Sequence, residues 1–217
     1  MTKGPRSLAV TSPVRARALD RERPHCWRRA LPVLRGQRVM LREVLPSDAA
    51  ALLKICADPL VRRHMPAVPR TLEEFRQFIA WVRGQRRVGR YICFSSVDVE
   101  GRVTGLFQVW PLEPDFGTAE WGFLVARKHW GTGFFTESAR ILIDFVFRSL
   151  AVQRLECRAA AANVRARGAL HRLGAIEEGI LRECFMGARS RKDFVLHAIL
   201  ARQWMRDARR TSTAGTR

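Results

Sequence analysis

The stretch FGTAEWGFLVARKHWGTGFFTESARILIDFVFRSLAVQRLECRAAA, residues 116–161, limits the fold more than any other. It reads as strand, glycine turn, long apolar helix, strand. A strand that leaves through a helix and returns as a strand makes a parallel pair, because only a long crossover brings the chain back in the same direction. Just upstream, GRYICFSSVDVEGRVTGLFQVWPL (89–112) reads as two strands about a turn at Glu100-Gly101. Tight turns join antiparallel neighbours. Three antiparallel strands feeding one parallel crossover predict a mixed α/β sheet, not a repeated series of crossovers.

The flanks fill in the rest. RVMLREV (38–44) alternates apolar and polar, as a strand does. Pro46-Ser47-Asp48 then opens a helix, with Ser47 the expected N-cap and ALLKICA behind it. DPLVRRHM (58–65) predicts a short second helix. TLEE (71–74) has capping-box spacing ahead of the amphipathic FRQFIAWV. NVRARGALHRLG (163–174) is a helix closed by Gly174. AIEEGILRECFM (175–186) and KDFVLHAILARQWM (192–205) read as a final hairpin. One domain over 34–205 is expected between basic, disordered tails at 1–33 and 206–217.

Composition removes several function classes. No run of about 18 apolar residues offers a membrane span, and the first 33 residues lack the apolar core of a secretory signal. The cysteines, at 26, 56, 93, 157 and 184, contain no CxxC pair, and the histidines, at 25, 64, 129, 171 and 197, have no ligand spacing. Neither a disulfide frame nor a metal site is expected, and reduced thiols suit a cytoplasmic protein. The formal charge of +19 would suit a polyanionic partner. Yet only four of the 39 basic residues are lysine, the pattern GC-rich coding produces. The charge is also scattered, without an aromatic-interleaved stripe, so nucleic-acid binding is not indicated.

KHWGTGFFTESA (128–139) is the chemically informative segment. A helix start leaves about four N–H groups unpaired, and its dipole adds positive potential. Gly131 and Gly133 let backbone approach a phosphate without Cβ clashes. A P-loop is excluded because no GK[ST] follows. A dinucleotide fingerprint is excluded because Thr136 stands at the third glycine and the turn lies mid-chain. A KxxGxG anion loop remains, and by itself it is equally a glycine-rich helix cap with no ligand.

The surrounding residues add a resemblance. Lys128-His129-Trp130-Gly131-Thr132-Gly133 is similar to the [Q/R]xxGx[G/A] loop of the GCN5-related N-acetyltransferase (GNAT) family. Phe134-Phe135-Thr136-Glu137-Ser138, Ala119-Glu120-Trp121-Gly122-Phe123, and Asn163 with Leu170 and Gly174 resemble its RimJ/RimL-type ribosomal-protein branch. The likeness runs from about Leu34 to Met205. It implies a mostly antiparallel sheet of about seven strands with one parallel crossover and helices on both faces. It implies acetyl-CoA as donor, its pantetheine arm paired with Phe123, Leu124 and Val125 in a splay between the fourth and fifth strands. Lys128, Trp130, Gly131, Thr132, Gly133, Phe134 and Thr136 would seat the pyrophosphate, and Asn163 would touch the arm while capping its helix. No metal is implied.

The acceptor would be a primary amine that attacks directly: a protein N-terminus, such as that of a ribosomal protein, or a small molecule. Either needs a base, because an α-amine titrates near pH 8 and a lysine near 10.4. Glu120, between Ala119 and Trp121, is the candidate base. The alternatives are a surface carboxylate or a binder of the substrate ammonium. Many relatives carry a tyrosine acid at the position of Leu170, and Tyr91, the only tyrosine, lies on the second strand. Ala166 stands where the branch often has serine. These departures leave room for a non-catalytic acyl-CoA-binding module, and the basic charge for a nucleic-acid binder. Solvent exposure is expected for His129, packing roles for Trp121, Trp130, Phe134 and His197, and a small buried role for Cys184. A monomer or a homodimer would both serve.

Overall fold

In the computed structural model, the described residues are 26–65, 68–186 and 190–214. The elements run α1 (Cys26–Arg29), β1 (Leu34–Arg35), β2 (Val39–Glu43), a 3-10 turn (Pro46–Asp48), α2 (Ala49–Ala57), α3 (Pro59–Arg62), α4 (Leu72–Arg87), β3 (Ile92–Asp98), β4 (Val103–Pro111) and β5 (Thr118–Val125). A second 3-10 turn (Arg127–His129) leads to α5 (Phe134–Ser149), β6 (Arg154–Ala160), α6 (Val164–Arg172), β7 (Ile176–Met186), β8 (Arg191–Leu200) and α7 (Ala201–Ala214). One sheet holds eight strands in the order β1-β2-β3-β4-β5-β6-β8-β7. Among the described residues, only β5 and β6 run parallel, joined through α5.

The sheet separates two cores, and the period-two alternation of the strands feeds both. Ile92, Phe94, Phe107, Val109 and Trp121 face α5 and α6. Cys93, Leu106 and Leu124 face α2 and α4. The α5 stripe of Leu142, Ile143, Phe145 and Val146 closes one face, and Phe75, Phe78, Ile79 and Val82 of α4 close the other.

Four expectations change, the last at Ser47. The strand count is eight rather than seven, because two-residue β1 adds an edge to β2. The last strand stops at Leu200 rather than Met205, and α7 takes over the end of that stretch and continues to Ala214, into the segment expected to be a disordered tail. The switch follows the apolar spacing: alternate residues are buried up to Ile199, after which Ala201, Trp204 and Met205 recur at helical intervals. The basic N-terminal segment is not featureless throughout. Trp27 and Leu31 are buried, with the Trp27 ring edge-on to Phe116 at 5.6 Å, and Arg86 donates to the carbonyls of Trp27 and Arg28. Residues 1–25 lie outside the described residues.

Ser47 is not the cap of α2. That corner is organised by Asp48, whose carboxylate accepts from both Arg42 Nη atoms at 2.7 Å, from Leu45 N at 2.9 Å and from Ser95 Oγ at 2.7 Å. Burial pushes the Asp48 carboxyl up. The Arg42 guanidinium, Leu45 N–H and Ser95 hydroxyl outweigh that and hold it below the usual carboxylate range. A lowered folded value stabilises the protein above the unfolded value and is lost as pH falls through the folded one. Asp48→Ala is expected to cost roughly 2–4 kcal/mol in urea unfolding at pH 7. The gap between variant and wild type should shrink below about pH 4; a gap independent of pH would refute the ionic account.

Candidate active site

β5 and β6 begin as neighbours and then part. Their pairing covers only Thr118–Arg154, Ala119–Leu155 and Glu120–Glu156, although both strands continue. β4 stays paired with β5 up to Val125, and β8 with β6 up to Ala160. The result is a wedge between two intact half-sheets. Ala126 N donates to Thr104 O at 2.8 Å, so by ladder alternation Leu124 and Gly122 also turn their backbone toward β4. Phe123 and Val125 then direct N–H and C=O into the wedge. Trp130 Nε1 confirms this direction by donating to Val125 O at 2.9 Å. Leu124, expected to share in backbone pairing there, does not: its backbone faces β4 and its side chain joins the α2–α4 core.

The glycine segment sits at the open end of the wedge. Gly131 has φ 76° and Gly133 φ 83°, left-handed values that favour glycine. Gly133 precedes the first turn of α5, whose N–H groups face outward. Thr132 Oγ1 donates to His129 O at 2.8 Å, which tightens the turn. Arg38, unnoticed in the sequence, holds the segment from the far side of the sheet. Its Nη1 donates to Thr132 O at 3.0 Å, and its backbone N and Nε donate to Glu137 at 2.8 and 3.1 Å. Glu137 in the first turn of α5 also favours the helix dipole.

A cavity of about 990 Å³ follows the wedge. Glu120, Phe123, Leu124, Val125, Trp130, Gly131, Gly133, Thr136 and Asn163 reach its wall. Lys128, Thr132 and Phe134 do not. Lys128 points to solvent, Thr132 is consumed in the turn, and Phe134 is buried beneath His129 with ring centroids 4.5 Å apart. His129 is not the solvent-exposed side chain expected: it is half-buried, its Nε2 has no partner, and burial first, then Lys128, lowers its pKa. Cys184 is exposed at the cavity rim rather than buried. His197 packs in the sheet as expected, with Nδ1 3.1 Å from Val195 O. Asn163 caps α6 by accepting from Ala166 N at 3.1 Å.

Glu120 lies where the two strands part. It is 6% exposed and 3.2 Å from Arg158 Nη1. Burial raises its carboxyl to about 7; Arg158 opposes the rise, and neighbouring Glu156 adds to it. The Trp110 indole helps the charged form a little, although its Nε1 has no partner in hydrogen-bond geometry. Behind Trp110, Tyr91 stacks at 5.6 Å and donates its hydroxyl to Gln108 Oε1. The only tyrosine thus supports Trp110 and Gln108 from behind, and no tyrosine stands at Leu170, which is fully buried. Arg158, Gln108 and Arg38 escaped sequence reading because no spacing rule links them to the motif they serve.

The fit to acetyl-CoA rests on these observations. An extended amide arm can add to the free backbone of Phe123 and Val125, and a pyrophosphate can meet the N–H groups of the glycine turn. Comparison with known proteins agrees. Residues 38–176 match the acetyltransferase (GNAT) domain. The protein p20 of Bacillus licheniformis, named an uncharacterized N-acetyltransferase, is 28% identical over 176 residues, covering 80% of this chain and 99% of its own. YdaF of Bacillus subtilis (strain 168), whose name offers ribosomal N-acetyltransferase as a candidate activity, is 30% identical over 177 residues, covering 78% and 94%. RimJ of Mycobacterium smegmatis, solved with CoA-disulfide, shares the fold with a TM-score of 0.70 at 23% identity, covering 79% of this chain and 87% of that one. With the parted strands, the glycine turn and this span of sequence all in agreement, the chain belongs to the GNAT family and is an N-acetyltransferase.

Proposed function

We propose that the enzyme moves an acetyl group from acetyl-CoA to a primary amine by direct attack within a ternary complex, with Glu120 as the base. The observation that carries this reading is the position of Glu120: a buried carboxylate with its pKa near 7, at the point where β5 and β6 part. Bound acetyl-CoA supplies a thioester carbonyl for the amine to attack; the C–N bond forms as the C–S bond breaks, and CoA leaves as a thiolate that solvent can protonate. Phe123 and Val125 offer the backbone that holds the arm, and Gly131, Gly133 and the start of α5 offer N–H groups to the pyrophosphate. Glu120 takes the proton that an incoming ammonium must lose. Arg158 keeps enough of the carboxylate ionised at neutral pH for this work. A protein N-terminal amine, such as that of a ribosomal protein, and a small amine both fit an open mouth. The buried free thiols Cys56, Cys93 and Cys157 suit a reducing cytoplasm.

A base is active only when deprotonated, so kcat/KM should rise with pH through a limb near 7. Glu120→Gln should lower kcat/KM about a hundredfold and erase that limb, leaving only the titration of the acceptor amine. An unchanged profile would remove Glu120 from the chemistry. Gly131→Val tests the turn separately. A side chain at φ 76° is strained although the space beside it is open, so acetyl-CoA affinity measured by calorimetry should fall about tenfold or more. Intact affinity would place the pyrophosphate elsewhere.

A further inference from the structure

We propose that the acceptor amine carries a negatively charged oxygen group, in the simplest case a carboxylate, within a few bonds of the nitrogen. This rests on the acetyltransferase reading of the same site. The first observation is the charge of the wall. Among the described residues, Glu120 is the one acidic residue that lines the cavity, against the arginines Arg63, Arg158, Arg165 and Arg172. Arg165 lies over the Trp130 ring at 4.8 Å, and Arg172 shares its helix, so both belong to the donor side with α6. Arg63 follows α3, which packs on α2, and Arg158 pairs with Glu120; these two flank the acceptor side. His64 beside them has its pKa lowered by burial first, then by Arg63 and by Lys192 at the start of β8. Two cations, Arg63 on the cavity wall and Lys192 on β8, therefore act on the same side chain.

The second observation is the kind of hydrogen-bonding group left over. Arg158 Nε and Trp110 Nε1 are buried without a partner. Gln108 accepts the Tyr91 hydroxyl at Oε1, which leaves its amide N–H groups as the end available to the cavity. These three are donors, and Glu120, the carboxylate beside them, already shares an oxygen with Arg158. Buried donors without acceptors are costly. An ammonium alone adds three more donors and satisfies none. A carboxylate brings about four lone-pair sites and opposes the surplus of positive charge. A polyamine meets the opposite condition, since its further ammonium groups would meet the arginines of the same wall.

Matched pairs of acceptors test this with the full-length enzyme, saturating acetyl-CoA and CoA release as readout. One arm compares free leucine with leucinamide. A second compares the peptide amides Ser-Asp and Ser-Asn, and spermidine is a third. Rates are referred to the neutral-amine fraction of each acceptor. The carboxylate member of at least one pair should be preferred about tenfold or more in kcat/KM. The pair that shows it separates a free amino acid from an acidic peptide terminus. Arg63→Gln should collapse that preference to about twofold, mainly through KM, and added salt should weaken it in the wild type. A merely structural role for Arg63 would slow both members equally and leave the ratio intact. Equal rates within both pairs, a preference for spermidine, or a ratio untouched by Arg63→Gln would each overturn the inference. Turnover of none of these acceptors, with acetyl-CoA still bound, would overturn the acetyltransferase reading along with it.

Discussion

The early parting of β5 and β6 is the constraint on which the rest depends. Two strands that continue side by side without pairing leave backbone donors and acceptors inside a protein, and such groups demand partners. Here the pairing ends after Glu120–Glu156. Trp130 satisfies one carbonyl, that of Val125, and its ring meets Arg165 from the opposite wall. The remaining backbone of Phe123 and Val125 faces a cavity. The same parting gives α5 its place, with its N-terminal turn opening at the end of the wedge.

The parting also decides the electrostatics of Glu120. A carboxylate on a continuous, solvated sheet face would ionise normally. At the fork it is nearly enclosed, and its raised pKa comes first from lost hydration. β6 supplies the compensation as an alternating row, Arg154, Glu156 and Arg158, on the same face. Without Arg158 the carboxyl would lie higher still and be protonated at neutral pH. With it, the carboxyl sits near the midpoint of its titration at neutral pH.

Rigidity at the glycine turn comes from outside the motif. Arg38 reaches from the β1–β2 turn to Thr132 and Glu137, and Gly36 leaves no room for a Cβ, which would lie 2.4 Å from Glu137 Oε1. Two left-handed glycines alone would leave the segment many conformations. The Arg38–Glu137 pair ties it to the sheet edge before any ligand arrives, which lowers the ordering cost of binding.

The sequence by itself determined the order of elements from β2 to β8, the single parallel crossover and the glycine turn, because period-two alternation, helical stripes and positive-φ glycines are local properties. Glu120 was legible for the same reason: it lies on the strand that runs directly into the turn. Two-residue β1, too short to show alternation, was not. Nor was the seating of Trp27 and Leu31, since a basic composition conceals two apolar anchors whose partners are far along the chain. Lys128 and Phe134 looked like ligand contacts by motif position, yet the turn directs one to solvent and the other to the core. Only the tertiary structure decided which groups surround Glu120. Arg158, Trp110, Gln108 and Tyr91 come from strands β6 and β4 and the residue ahead of β3, and sheet register brings them together. Register is set by which faces are buried across the whole sheet, and no single segment encodes it.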